Sequence, residues 1–186
     1  MSKTQSQQLR IIGGQWRSRR LNFPAIEGLR PTLDRIRETV FNWLQFEVEG
    51  KQVLDCFAGS GALGLEALSR GAKNVTFVEK NSQAAKQLNA NLALLNCSSG
   101  RVVNTDALVW LVQTQESFDL VFLDPPFHLG LLQPALDTLK LNANALVYVE
   151  HETELVPCWP AHWQEIKSKA TKEFCFRLFR VATTAS

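Results

Sequence analysis

From Lys51 onward, five short apolar runs alternate with helix-forming segments, and that alternation leaves few folds open. The runs are QVLDCF, NVTFVE, RVVN, FDLVFLD and ALVYVE. The intervening helices are expected at about 62–69, 82–95, 107–112 and 131–139, with Ala85, Leu88, Leu92 and Leu95 striping the second. Apolar strands separated by helices form a parallel sheet covered on both faces, so the expected class is α/β with an open, doubly wound sheet. The tail differs: WQEIKSKA and EFCFRLFR follow each other with no helix between them. They are expected to pair as an antiparallel hairpin at one sheet edge. An open sheet of this kind binds its ligand beyond the carboxyl ends of its strands, so the residues just after each strand are the ones to examine.

Upstream, Leu9 to Pro24 mixes β-formers with glycines and reads as one or two short strands. After Pro31, Thr32 is placed to cap a helix whose stripe is Leu33, Ile36, Val40, Trp43 and Leu44, with Arg35 and Arg37 off that stripe and Gly50 closing the element. The expected organisation is a basic β appendage over 1–30 and a main domain over 31–186.

Composition narrows the class further. With 45% hydrophobic and 20% charged residues in 186, no stretch approaches the roughly 18 apolar residues of a membrane span. The polar start MSKTQSQQ has no apolar block of the signal-peptide kind, so a cytoplasmic protein is expected. Cys56, Cys97, Cys158 and Cys175 are scattered without a C-x-x-C, so packing roles are expected and no metal site. Charge is uneven: residues 1–40 carry a net +5, residues 41–160 a net −6 and residues 161–186 a net +3. Basic ends attract a polyanion without regard to its sequence, and an acidic middle suits a cationic small molecule. Solubilising termini are the bland alternative.

The first strand runs into LDCFAGSGALG, a G-x-G-x-x-G turn made by Gly59, Gly61 and Gly64. Glycines there let backbone N–H groups approach a ligand, and Glu79 ends the second strand 20 residues beyond Gly59, the separation of an acid that grips a ribose hydroxyl. Both features suit a nicotinamide dinucleotide and S-adenosylmethionine alike. Asp55 begins to separate them, because a carboxylate at the end of the first strand repels a pyrophosphate but attracts an ammonium. Asp106 follows the third strand, placed either to reach an adenine amino group or to cap the next helix. FLDPPF ends the fourth strand. Pro125 and Pro126 stiffen it and lack backbone donors, so the Asp124 carboxylate and the Pro125 carbonyl can accept both hydrogens of an exocyclic nucleobase amine. Such an amine attacks a methylsulfonium only when so held. Phe127 then stacks on the flipped or unpaired base, a contact of about 1–3 kcal/mol. The structural alternative is a strand-ending turn with Phe127 as a core aromatic.

These stretches carry a family resemblance. LDCFAGSGALGLEALSRGA resembles the cofactor loop of class I S-adenosylmethionine-dependent methyltransferases, and DPPF resembles their Asp/Asn/Ser-Pro-Pro-aromatic amine-methylating motif. RIIGGQWRSRRL, RPTLDRIRETVFNWL and SRGAKNVTFVEKN are similar to the RsmD family of 16S rRNA (guanine(966)-N(2))-methyltransferases, over about Leu9 to Arg180. The resemblance implies a Rossmann-like, mostly parallel seven-stranded sheet with an antiparallel carboxyl-terminal edge hairpin and an N-terminal β-hairpin. It implies methyl transfer to the N2 amine of a guanine in 16S rRNA, in an assembling or assembled small ribosomal subunit, by a monomer. Asp55, Phe57, Gly59, Gly61, Glu79, Lys80, Asp106 and Ala107 would hold S-adenosylmethionine, and Asp124, Pro125, Pro126 and Phe127 would serve catalysis. Arg10, Arg17, Arg19, Arg20, Arg30 and Thr32 would meet the rRNA. Adenine N6 methylation and a non-catalytic nucleic-acid-binding module remain alternatives. One departure is KSKATKEF in place of a glycine-containing turn before the last strand, so that hairpin is expected to turn differently.

Overall fold

The structure is a computed structural model and describes residues 6–25 and 34–182. A two-stranded hairpin, β1 (Ser6–Arg10) and β2 (Arg20–Pro24), precedes helix α1 (Asp34–Trp43). Alternation then follows through β3 (Gln52–Asp55), α2 (Ala62–Ser69), β4 (Asn74–Val78), α3 (Ser82–Leu94), β5 (Gly100–Val103), α4 (Ala107–Gln113), β6 (Phe118–Leu123) and α5 (Leu132–Thr138). The chain closes with β7 (Leu141–Glu152), β8 (Trp163–Ala170) and β9 (Phe174–Val181).

The seven strands β3 to β9 form one sheet in the order β5-β4-β3-β6-β7-β9-β8, parallel from β5 to β7 and antiparallel thereafter. The expected doubly wound sheet and edge hairpin are therefore present, with β9 inserted between β7 and β8. Thr171 makes the hairpin turn without glycine. Its hydroxyl accepts the backbone N–H groups of Glu173 and Phe174, doing with a side chain what a left-handed glycine does with backbone. Strand order reverses between β3 and β6, the place where an open sheet of this kind holds its ligand beyond the carboxyl ends of its strands.

Strand alternation divides the interior in two. Val53, Phe77, Leu120, Phe122 and Tyr148 face one way, toward α1, α2, α3 and the N-terminal hairpin. Leu54, Val78, Val121, Leu123, Val147 and Val149 face the other, toward α4 and α5. Gly64 shows how tightly α2 lies on the sheet, since a Cβ there would come within 2.2 Å of the Phe77 ring.

Three readings need correction. Arg37 was placed off the core stripe of α1, yet its side chain is fully buried, donating to the Arg10 carbonyl at 2.7 Å and to Asp34 at 2.6 Å. Periodicity describes a helix with one covered face, and here the hairpin backbone reaches the other. Helix α1 also ends at Trp43, and the chain reaches Gly50 through turns. Among the cysteines, Cys56 and Cys175 are buried and Cys97 is half-buried, but Cys158 is exposed. Its segment crosses the outside of the sheet, with the Cys158 N–H held by Gln133 at 2.9 Å. No helix among the described residues is long and apolar enough to cross a membrane.

The hairpin is fastened to the main sheet's helices in two ways. Leu9, Ile11, Leu21 and Phe23 enter the core, each worth about 1.5–3 kcal/mol as an upper figure. Fully buried Glu66 of α2 then accepts the N–H groups of Ile12 at 2.9 Å and Gly13 at 2.8 Å, together with Arg70 at 2.8 Å. The apolar row provides most of the adhesion, and Glu66 sets where the hairpin lands. Glu66→Ala removes the buried carboxylate that accepts two backbone N–H groups and a guanidinium, so urea unfolding followed by tryptophan fluorescence is expected to show a loss of about 3 kcal/mol or more. A loss under about 1 kcal/mol would mean that the apolar row fastens the hairpin alone.

Candidate active site

The loop after β3 turns on two left-handed glycines, Gly59 at φ 54° and Gly61 at φ 76°. A Cβ on Gly61 would also lie 2.5 Å from Leu88 of α3, so space and backbone both require glycine. Carboxylates clamp the turn from two sides. Glu79, just past β4, accepts the Gly59 N–H at 2.7 Å and the Asn81 N–H at 2.6 Å. Asp55, the last residue of β3, accepts the Gly64 N–H at 2.9 Å. Glu79 is thereby oriented by two backbone donors, and a further lone pair on each of its oxygens remains for a ligand hydroxyl.

Asp55 is 3% exposed. Burial pushes its carboxyl up to about 7, against the Gly64 hydrogen bond and with a further push from Glu79. A cation brought close relieves that cost, so the position favours an ammonium over a phosphate.

Beside it, Asp106 caps α4 by accepting the N–H groups of Leu108 at 3.0 Å and Val109 at 3.4 Å, and it meets Lys80 at 3.1 Å. The Lys80 hydrogen bond holds the Asp106 carboxyl below the usual range. Of the two expectations for Asp106, the helix cap is the one observed. Asn104 ties the neighbouring loop down by donating to the carbonyls of Glu79 at 2.8 Å and Lys80 at 3.1 Å, a contact that the strand pattern did not reveal. Ala107 is buried and Phe57 half-buried on the α4 side.

Asp124 follows β6, the strand beside β3; Asp55 pairs with Phe122, and the Cys56 N–H reaches the Phe122 carbonyl at 3.1 Å. The glycine turn and the Asp-Pro-Pro-Phe corner therefore leave adjacent strands at the same end of the sheet. Pro125 is buried and Pro126 exposed. Phe127 is half-buried and tilted against Phe174 of β9, with centroids 5.9 Å apart. The Asp124 carboxyl group is hydrogen-bonded to Glu150 of β7, which also accepts the Tyr148 hydroxyl at 2.6 Å. Glu150 was not singled out from the sequence, although an acid ending the fifth strand of ALVYVE was the available signal. A separate groove of about 610 Å³ between α5 and residues 158–163 contains none of these groups.

The arginines are spread more widely. Arg17 and Arg19 lie exposed in the β1–β2 connection, whose Gln15 and Trp16 N–H groups bond Ser69 at the far end of α2 from the glycine turn. The eight residues of α2, about 12 Å of helix, separate Ser69 from that turn. Arg10 and Arg20 sit opposite each other on the hairpin, and Arg10 is 51% exposed while meeting Asp34 at 3.4 Å. Arg30 and Thr32 lie outside the described residues.

The family described as Conserved hypothetical protein 95 matches residues 9–180. "Ribosomal RNA small subunit methyltransferase D" of Escherichia coli strain K12 is 48% identical over 180 residues, covering 94% of this chain and 91% of that protein. The protein of the same name from Haemophilus influenzae is 47% identical over 181 residues, covering 93% and 94% respectively. The chain belongs to the RsmD family. Within it, the solved structure titled putative methyltransferase yhhF from Escherichia coli superposes with a TM-score of 0.87 at 46% identity, covering 96% of this chain and all of that one. The RsmD-family fold expected from the sequence, with its seven-stranded sheet and N-terminal β-hairpin, is the one observed.

The Asp55 environment has a measurable consequence. In the unfolded chain such a carboxyl titrates near 3.8, so between there and about 7 the folded protein keeps a proton that unfolding releases. The stability this proton contributes is complete below the lower value and is lost as pH rises through the upper one. Asp55→Asn keeps an acceptor for Gly64, and its gain over wild type is expected to grow from almost nothing at pH 4 to on the order of 2–4 kcal/mol at pH 8. Guanidinium unfolding at the two pH values checks this, and equal differences would refute the buried protonation.

Proposed function

We propose that the chain transfers a methyl group from S-adenosylmethionine to the exocyclic N2 amine of a specific guanine in 16S rRNA, giving N2-methylguanine and S-adenosylhomocysteine. One observation carries the reading: Asp124 and the glycine turn leave neighbouring parallel strands at the point where strand order reverses. The name borne by the Escherichia coli and Haemophilus influenzae relatives supports the small-subunit rRNA as substrate.

The residues present fit the donor. Asp55 is a buried carboxyl group without a cation among its described partners, and the turn bears left-handed glycines beside an oriented Glu79. When bound, S-adenosylmethionine supplies an electrophilic methyl group on a cationic sulfur. In this reading Asp55, Gly59 and Gly61 hold the methionine end, Glu79 accepts from the ribose hydroxyls, and Phe57, Lys80, Asp106 and Ala107 border the adenine. Asp124 and the Pro125 carbonyl accept the two amine hydrogens, Pro126 keeps the corner stiff, and Phe127 stacks on the base. Arg10, Arg17, Arg19 and Arg20 bind rRNA phosphates, with Arg30 and Thr32 at the border of the site. Residues 1–30 then serve as an RNA-docking appendage to a catalytic domain over 31–186, in a cytoplasmic monomer acting on the assembling or assembled small subunit.

Asp124→Ala is expected to lower kcat on a 16S rRNA fragment by about 10²–10³-fold while S-adenosylmethionine affinity stays within about twofold. Nucleoside mass spectrometry of the product must return N2-methylguanine; N6-methyladenine would establish the other base. Unchanged turnover in the variant would rule out the Asp124 role, and no methyl transfer by wild type would leave only an RNA-binding module.

The hairpin is tested separately. Replacing Arg17, Arg19 and Arg20 with glutamate should weaken rRNA binding and flatten the slope of log affinity against log salt by up to about three, with cofactor affinity unmoved. An unaltered slope would rule out phosphate contact by these three.

A further inference from the structure

Glu150 is the buried acid to which the transfer chemistry above gives no part. It is 5% exposed, its cross-strand neighbour on β9 is Phe176, and Phe176 stacks on Trp43 with centroids 5.4 Å apart. The last β6–β7 pair, Leu123 with Val149, puts Asp124 and Glu150 side by side, and a hydrogen bond joins their carboxyl groups. Two carboxylates offer only acceptors, so such a bond requires a proton. Tyr148 does not provide it, because its single hydrogen points to Glu150 Oε1. Nor does the phenol ionise: burial, then Glu150 and Asp124, push its pKa well up. Such a bond forms when the pair carries one proton and one negative charge.

Resting on the methyl-transfer reading, we propose that Glu150 is a positioning residue that shares this proton with Asp124, fixing the Asp124 carboxyl group and leaving its other oxygen as a charged acceptor for the target amine. Among the described residues, the ionisable groups on this half of the core include Asp55 and Glu79 at the ends of β3 and β4, Tyr148, and Arg37, Glu66 and Arg70 from the helices packed on it. Helix α1 presents Phe41 to Phe122 and Trp43 to Phe176.

The shared proton also suits the end of the reaction. As the nitrogen–carbon bond forms, the sulfur–carbon bond breaks with its electron pair on sulfur, and the nitrogen is left with a surplus proton. Asp124 takes that proton, so the pair holds two protons and no charge until water removes one after product release. An isolated aspartate, with a pKa near 3.9, accepts such a proton poorly, whereas close carboxyl pairs have one pKa strongly raised. Burial pushes Glu150 up in the same direction, opposed by its hydrogen bonds from Tyr148 and Asp124.

The test compares wild type, Glu150→Gln and Glu150→Ala in two measurements. In kcat against pH on a 16S rRNA fragment, wild type is expected to fall on both sides, by gain of a second proton at low pH and loss of the shared one at high pH. Glu150→Gln donates from its amide and cannot lose that hydrogen, so kcat should drop only about threefold near neutrality and the alkaline limb should vanish. Glu150→Ala should lose about 30–100-fold in kcat with the cofactor KM within about twofold. The proposal is overturned if Glu150→Ala stays within about threefold of wild type, or if a folded Glu150→Gln is as impaired as the alanine variant. The second measurement is a carboxyl carbon-13 NMR titration of the free proteins, which needs no substrate and stands even where the alanine variant fails to fold. Asp124 should titrate in two coupled steps in wild type and in one step in Glu150→Gln; one uncoupled step in wild type overturns the shared proton. A wild type that makes no N2-methylguanine overturns the reading of the reaction, and the NMR result still decides the pair.

Discussion

Four carboxyl groups gathered near the carboxyl ends of neighbouring parallel strands, Asp55 and Glu150 buried and Glu79 and Asp124 half-buried, set the terms for the rest of the molecule. Asp55, Glu79, Asp124 and Glu150 follow residues that face the same half of the core, namely Val53, Phe77, Phe122 and Tyr148. Desolvating a carboxylate is costly unless hydrogen bonds or a cation offset it. The fold meets part of that cost with its own backbone, through Gly59 to Glu79 and Gly64 to Asp55. The Tyr148 hydroxyl meets another part by donating to Glu150. The same bonds shape the glycine turn, so the turn's geometry and the pocket's preference for positive charge have one origin.

Opposite charges are segregated without being separated mechanically. The basic hairpin stands on α2, whose first residues follow the glycine turn and whose Glu66 and Ser69 hold the hairpin connection. A Cβ on Gly14 would lie 1.9 Å from the Ser69 carbonyl, so the connection seats against the helix backbone itself. One short helix therefore carries cation chemistry at one end and polyanion attraction at the other. Contacts about 12 Å from the glycine turn suit a polymer better than a small substrate, because only a polymer spans both.

Much of this was legible in the sequence, and the misses share a physical cause. Alternating apolar runs disclosed the sheet because each strand is covered on both faces, and glycine spacing disclosed the turn because left-handed backbone and close packing restrict residue choice. Asp124 was visible because two following prolines stiffen the corner and lack backbone donors, which leaves acceptors to face outward. Arg37 was misread because helical periodicity registers one buried face and is blind to a second layer arriving from the hairpin. Glu150 passed unnoticed for a related reason. Its importance lies in lateral register with β6, and pairing between strands 26 residues apart leaves no mark on local pattern. Thr171 replaced the expected glycine because a hydroxyl accepts the same N–H groups.

The antiparallel tail acquires a purpose from the position of Phe127. A stacking aromatic must keep one face open while the rest of the ring is held, and an exposed loop alone does not hold it. Insertion of β9 beside β7 brings Phe174 against Phe127, with centroids 5.9 Å apart; Phe174 in turn meets Phe176 at 6.1 Å, and Phe176 stacks on Trp43 of α1. The row runs from the catalytic corner to the helix that follows the hairpin. Had β8 taken the inner place, its exposed, lysine-bearing strand would have faced Glu150, and neither the aromatic support nor the dry setting of the carboxyl pair would exist. Strand order at the edge of the sheet thus bears directly on how firmly the Phe127 ring is held beside Asp124 at the end of β6.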